Sequence, residues 1–147
     1  MAEMRFDTTR SDEQRRRMQK CKDEGMCYLC ERIARKEHIV KQNRHWYIIK
    51  NDFPYEGTVH HYLIIPKRHI VNLDDLNSRE ESWFFNIHWW LKRELGVTGF
   101  SMFVRSGDMQ YTHASLDHVH FQFIVGTKKK TGSEKIKVTL GYKEKPR

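Results

Sequence analysis

Eight residues near the C-terminal end, His118-Val119-His120-Phe121-Gln122-Phe123-Ile124-Val125, constrain this chain more than any other stretch. Read as a strand, the run sends His118, His120 and Gln122 to one face and Val119, Phe121 and Phe123 to the other. The apolar face explains why such a strand is held against a core. It does not explain the opposite face. Half-exposed strands carry polar residues outward, and a single histidine there would mean little. Two histidines at i and i+2, joined by a planar amide and preceded by Ser115-Leu116-Asp117, point instead to a chemical site.

The stretch resembles the signature of the histidine triad (HIT) superfamily, in which three histidines alternate with apolar residues. Gln122 stands at the third position, and His-x-His-x-Gln is similar to the nucleotidyltransferase and dinucleoside-polyphosphate phosphorylase branches. The segment Ala114 to Gln122 resembles the galactose-1-phosphate uridylyltransferase pattern, with Val119 where that much larger enzyme usually has proline. The resemblance covers about residues 27 to 126 and implies the HIT fold.

A length of 147 residues suits one domain with a real core. The longest apolar run falls well short of the roughly 18 residues a membrane span needs, and no signal-peptide core opens the chain. A cytoplasmic protein without membrane association is therefore expected. Three cysteines do not make a disulfide framework. The net charge of +8 suits an anionic partner such as a nucleotide, or nucleic acid. Much of that charge sits in Arg15-Arg16-Arg17 and Lys128-Lys129-Lys130, and such runs are most often solvated surface.

Residues 1–26 read as an extension: irregular to about residue 10, then a surface helix capped by Ser11 and running to about Lys22, with Gly25 beyond it. Cys27-Tyr28-Leu29-Cys30 reads as a turn. Ile39 to Gln42 and Trp46 to Lys50 read as a hairpin, and His61 to Ile65 as a strand stopped by Pro66. Ser78 with Glu81 forms a capping box for a long helix reaching Leu95 and closed by Gly96. Phe84, Ile87, Leu91 and Leu95 make its core stripe, while Phe85 and Trp89 lie off it, so the helix is either buried on two sides or meets a second subunit in a homodimer. Gly99 to Arg105 reads as a strand and Ser106 to Thr112 as a loop. In the basic segment 127–147, Ile136 to Leu140 alternates like an edge strand. The order implies an α+β fold, an antiparallel sheet of about five strands with one long helix.

Cys27 and Cys30 have the spacing of half a zinc site. A redox pair, or coincidence between two small buried residues, would read the same, and nine histidines leave the remaining ligands open. The resemblance narrows them. Zinc-containing HIT proteins pair CxxC with a histidine after a Pro-Lys element and with the first histidine of the signature. Here those are His69, in Ile65-Pro66-Lys67-Arg68-His69, and His118. The implied Cys27, Cys30, His69, His118 site has no open position, so its zinc is structural.

The resemblance also implies the reacting group. The middle histidine, His120, attacks the α-phosphorus and forms a nucleotidyl-histidine; a neutral imidazole is a competent nucleophile near pH 7. Gln122 would donate to a non-bridging oxygen, Ser115 would touch the phosphate or leaving group, and Asn51 would hold the ribose hydroxyls. The strand from Trp46 to Ile49 could wall the base. Arg105, Asp108 and His113 lie close enough in sequence to contact the leaving group, whereas His60, His61 and His88 read as structural or surface histidines. The expected protein cleaves a nucleotide or dinucleoside polyphosphate by hydrolysis or transfer. Two other classes remain open: a zinc-stabilised nucleotide-binding module with little turnover, and a protein that removes adenylate from nucleic-acid ends.

Overall fold

A computed structural model describes residues 3–9, 11–36 and 38–147. Among these, five strands form one antiparallel sheet: β1 (Ile39–Gln42), β2 (Trp46–Lys50), β3 (His60–Pro66), β4 (Ser101–Val104) and β5 (Phe121–Val125), in the order β1-β2-β3-β5-β4. Period-2 alternation splits its side chains between two cores. Trp46, Ile48, Ile64 and Phe123 face α3 (Ser78–Leu95) and meet Phe84, Ile87 and Leu91. Ile49, Leu63 and Ile65 face the other way, where Met18 and Cys21 of α1 (Asp12–Asp23) and Tyr28 and Leu29 of α2 (Tyr28–Ala34) cover them. No helix among the described residues is long and apolar enough to cross a membrane.

The long helix starts one residue earlier than its sequence suggests. Asn77, not Ser78, is the N-cap: its side chain accepts from Glu80 N–H at 2.9 Å, and the Glu80 carboxylate accepts from Asn77 N–H at 3.0 Å. Both Asn-x-x-Glu and Ser-x-x-Glu satisfy the spacing. The choice falls to the frame in which Arg68 also reaches the glutamate, at 2.7 and 2.9 Å. Gly96 closes the helix with φ of +63°. Phe85 and Trp89 remain 53% and 51% exposed.

Three other differences have tertiary causes. The first residues are not irregular throughout: Met4 bridges to Leu116, and Arg5 N–H donates to the Ser115 carbonyl at 2.9 Å. Helix α1 is polar on most sides, yet Met18 is fully buried under it. The expected turn at Cys27 to Cys30 runs straight into α2, with Cys27 as N-cap.

Residues 136–140 form no strand. Their backbone is held by a side chain instead, Arg105 Nη2 donating to the Thr139 carbonyl at 2.6 Å. Ile136 packs so closely over Gly126 that a Cβ there would lie 3.1 Å from it. Within the expected loop 106–112, α4 (Met109–Thr112) forms a single turn capped by Asp108. Residues 136–139 thus lie back against Gly126 and Arg105.

Candidate functional site

Regular strand pairing begins only at Phe121, so His118 and His120 sit in the segment leading into β5. That segment is fixed by other contacts. Val119 is fully buried, and its N–H donates to the Ile70 carbonyl at 2.8 Å. The two histidines then enter different surroundings.

His118 is fully buried. Its Nε2 donates to the Pro66 carbonyl at 3.1 Å, which leaves Nδ1 as the lone-pair nitrogen. That nitrogen lies 3.5 Å from Cys27 Sγ and 3.4 Å from Cys30 Sγ, and His69 Nδ1 lies 3.6 Å from Cys30 Sγ. All four donor atoms fall within 4.8 Å of one another. A tetrahedron built on zinc–sulfur and zinc–nitrogen bond lengths has a sulfur–nitrogen edge of about 3.6 Å. The donor set, its spacing and the His118 tautomer therefore fit a tetrahedral metal ion. Asp117 Oδ1 stands 3.5 Å from the outer nitrogen of His69, in the place where a carboxylate orients a ligating imidazole.

His120 turns instead into a cavity of about 210 Å³. Its Nδ1 donates to the His118 carbonyl at 2.8 Å, so a neutral ring carries its lone pair on Nε2. Burial pushes its pKa down to about 4, against the hydrogen bond to His118, which raises it, and with lesser lowering by the charges of His118, Arg105 and His61. The ring is neutral at pH 7.

Gln122 shares the cavity and is oriented from behind by His61. Tyr55 N–H donates to His61 Nδ1 at 3.1 Å, so the proton of a neutral His61 ring is on Nε2. Nε2 then donates to Gln122 Oε1 at 2.5 Å, leaving the amide N–H groups of Gln122 as its donors. Asn51 Nδ2 lies 3.1 Å from the same His61 nitrogen, and Asn51 Oδ1 accepts from Phe53 N–H at 2.9 Å. His61 is 2% exposed, which agrees with the structural half of its sequence reading, and it stands directly behind Gln122. A histidine on an alternating strand gives no signal of what it orients.

Ser115, Asn51, Arg105 and His113 also line the cavity, together with Tyr28, Leu29, Arg32, Phe53 and Leu63. The Ser115 hydroxyl is 2.7 Å from that of Thr8. Both ends of the chain contribute walls, through Thr8 and Gln14 and through Lys137, Val138 and Thr139. Neither end carries a periodicity that would have revealed this. Asp108 is spent on capping α4 and does not line the cavity. Trp46 and Ile48 belong to the core under α3, with Trp46 Nε1 donating to the Glu80 carbonyl. They are not the base wall, because strand alternation sends them to the face opposite the cavity.

The cavity is cationic at Arg32, Arg105 and Lys137, presents an imidazole lone pair, and aims a neutral amide donor beside it. That combination is chemically suited to an anion and offers a nitrogen lone pair to an electrophile within it.

Over residues 26–138 the sequence matches the family model described as scavenger mRNA decapping enzyme C-term binding. Among solved structures, a HIT family hydrolase from Clostridium thermocellum is 25% identical, with a TM-score of 0.56 over 75% of this chain and 96% of that one. A histidine triad protein from Clostridium difficile is 24% identical, with a TM-score of 0.54 over 71% and 93%. A zinc-bound histidine triad family protein from Mycobacterium smegmatis is 18% identical, with a TM-score of 0.55 over 76% and 82%. No curated protein matches the sequence.

Proposed function

The chain belongs to the scavenger mRNA decapping enzyme C-terminal family, within the histidine triad superfamily, and on that premise we propose that it cleaves nucleotides at the α-phosphate through His120. One observation carries the reading: the His118 carbonyl holds the proton of His120 on Nδ1 and leaves the Nε2 lone pair at the cavity. Attack by Nε2 forms a nitrogen–phosphorus bond and breaks the phosphorus–oxygen bond to the leaving group. The ring becomes cationic as it does so, and the Nδ1–H bond to the carbonyl strengthens at that moment. Gln122 donates an amide N–H to a non-bridging oxygen, Ser115 faces the phosphate or leaving group, and Asn51 takes the ribose hydroxyls. Water, or a second acceptor such as phosphate, then attacks the nucleotidyl-histidine and restores the ring.

The four-donor cluster is assigned to structural zinc, supported by its tetrahedral edges, the His118 tautomer and the zinc-bound relative. Zinc there would tie α2 to the segment before β5. With all four positions filled by protein it takes no substrate.

The test is product release from a panel of nucleotides and dinucleoside polyphosphates by the wild type and His120→Ala. The variant is expected to fold, to bind nucleotide and to lose at least about a hundredfold in turnover. Retention of more than about a tenth of the rate, roughly 1.4 kcal/mol in barrier, excludes His120 as nucleophile. Binding without turnover by the wild type makes the protein a nucleotide-binding module.

A further inference from the structure

Asp117 divides its carboxylate between two distant parts of the chain. Oδ2 accepts from the Glu3 backbone N–H at 2.9 Å. Oδ1 is buried, makes no hydrogen bond among the described residues, and stands 3.5 Å from His69 Nε2. A buried carboxylate oxygen left without a hydrogen bond is costly. The group that faces it is the outer nitrogen of a cluster residue.

A neutral imidazole carries one proton. His69 Nδ1 is the nitrogen turned to Cys30 Sγ, at 3.6 Å, so a metal ion held there leaves the proton on Nε2, opposite Oδ1. The charge of the ion makes that N–H a stronger donor to a carboxylate. An occupied cluster therefore supplies the bond that Oδ1 lacks.

On its other side Asp117 holds the first described residues. Its N–H donates to the Glu3 carbonyl at 3.3 Å, and Arg5 N–H donates to the Ser115 carbonyl at 2.9 Å, the two bonds flanking an antiparallel bridge between Met4 and Leu116. This one-rung pairing lies outside the five-stranded sheet, and so short a pairing is marginal by itself. From Arg5 onward the segment has other anchors: the Arg5 side chain donates to the Met109 carbonyl at 3.1 Å, Phe6 packs on the core, and Thr8 is 7% exposed. Glu3 and Met4 have only the partly buried Met4 side chain besides the contacts to 116 and 117.

We propose that Asp117 is a metal-responsive tether, which orients His69 with one oxygen and docks Glu3 and Met4 on residues 115–117 with the other. The inference rests on the assignment of the four-donor cluster to a metal. Coupling of this kind is reciprocal: docking of the first residues tightens the metal by the factor by which the metal tightens docking.

Hydrogen exchange of the full chain, zinc-loaded and after chelation, tests it. The Glu3 and Asp117 amides are expected to exchange at least about tenfold faster after chelation, while the amides of β2 and β3 change by less than about twofold. Asparagine has a single acceptor oxygen and cannot serve both His69 and Glu3, so Asp117→Asn is expected to bind zinc about tenfold to a hundredfold more weakly in competition with a chelator. Glu3→Pro deletes the N–H and leaves every metal donor in place. It is expected to weaken zinc by about threefold or more, which a merely structural contact would not do. Equal exchange at Glu3 and Asp117 with and without zinc overturns the tether, and needs no variant to fold. Equal acceleration of the β2 and β3 amides overturns it too, by making the loss global. Zinc affinity unchanged in both variants removes the coupling. If the chain binds no zinc, the metal assignment itself fails and the tether with it.

Discussion

His61 Nε2 lies 2.5 Å from Gln122 Oε1, and the backbone N–H of Tyr55 decides the direction of that bond by occupying His61 Nδ1. The histidine is a positioning residue: it fixes which end of the Gln122 amide is left to donate. His61→Ala should leave nucleotide binding within a few-fold of wild type and lower kcat by about tenfold to a hundredfold, since a donor that is present but free to flip stabilises developing charge poorly. Parallel measurement of Kd and kcat decides it. An unchanged kcat in a folded variant removes the positioning role.

Gln122 itself sets up a second expectation. An amide holds a phosphate oxygen but exchanges no proton at neutral pH, whereas imidazole does both. The nucleotidyl intermediate should therefore depend on the nucleophilicity of its acceptor. Added phosphate or sugar phosphate is expected to raise turnover and divert product, and Gln122→His to shift the ratio towards hydrolysis. Product ratios across a phosphate titration read this directly. Hydrolysis product alone at every acceptor concentration would eliminate transfer.

The cluster predicts about one zinc per chain. Cys30→Ser removes a ligand whose sulfur is close to both His69 and His118. It should reduce zinc content and lower Tm by several degrees, because site formation is coupled to folding. Metal analysis and thermal unfolding of the same preparation check it, with chelator-treated wild type as the reference. Full zinc occupancy in the variant would refute the assignment.

Far from the cavity, Glu80 is 2% exposed, is bonded by Arg68 and caps α3. The Arg68 hydrogen bond, foremost, holds its carboxyl below the ordinary value. A carboxyl whose folded pKa is depressed contributes stability above its unfolded pKa, about 4.3, and loses it as pH falls through the folded value. Glu80→Gln should cost about 1–2 kcal/mol at pH 7, and the gap from wild type should narrow below about pH 4. Denaturant midpoints at pH 7 and pH 3.5 test the sign.

The order and type of the elements were legible because local pattern and tertiary placement agree. Ile39–Gln42 and Trp46–Lys50 are strands at the expected residues, and Phe84, Ile87 and Leu91 are the buried stripe of α3. The four donors of the cluster, suggested by resemblance, are brought together. What escaped is what depends on a distant partner. Thr8 meets Ser115, and Thr139 meets Arg105, across more than thirty residues or more than a hundred. Alternation at 136–140 suggested a strand, but a side chain took the carbonyl that a ladder would have used. Arg32 and His61 were hidden for a different reason: their polarity suited an exposed surface equally well until burial was known.

His118 uses its two ends for different purposes, its ring within the four-donor cluster and its carbonyl on the proton of His120. The direction in which His120 Nε2 points is consequently set by a peptide unit that cannot shift unless the cluster shifts with it. Angular tolerance at that imidazole thus derives from the stiffness of the neighbouring four-donor cluster, much as a lathe's accuracy derives from its bearing rather than its tool. A chain loosened at Cys27 or Cys30 would still possess His120 and Gln122 and would hold them out of true.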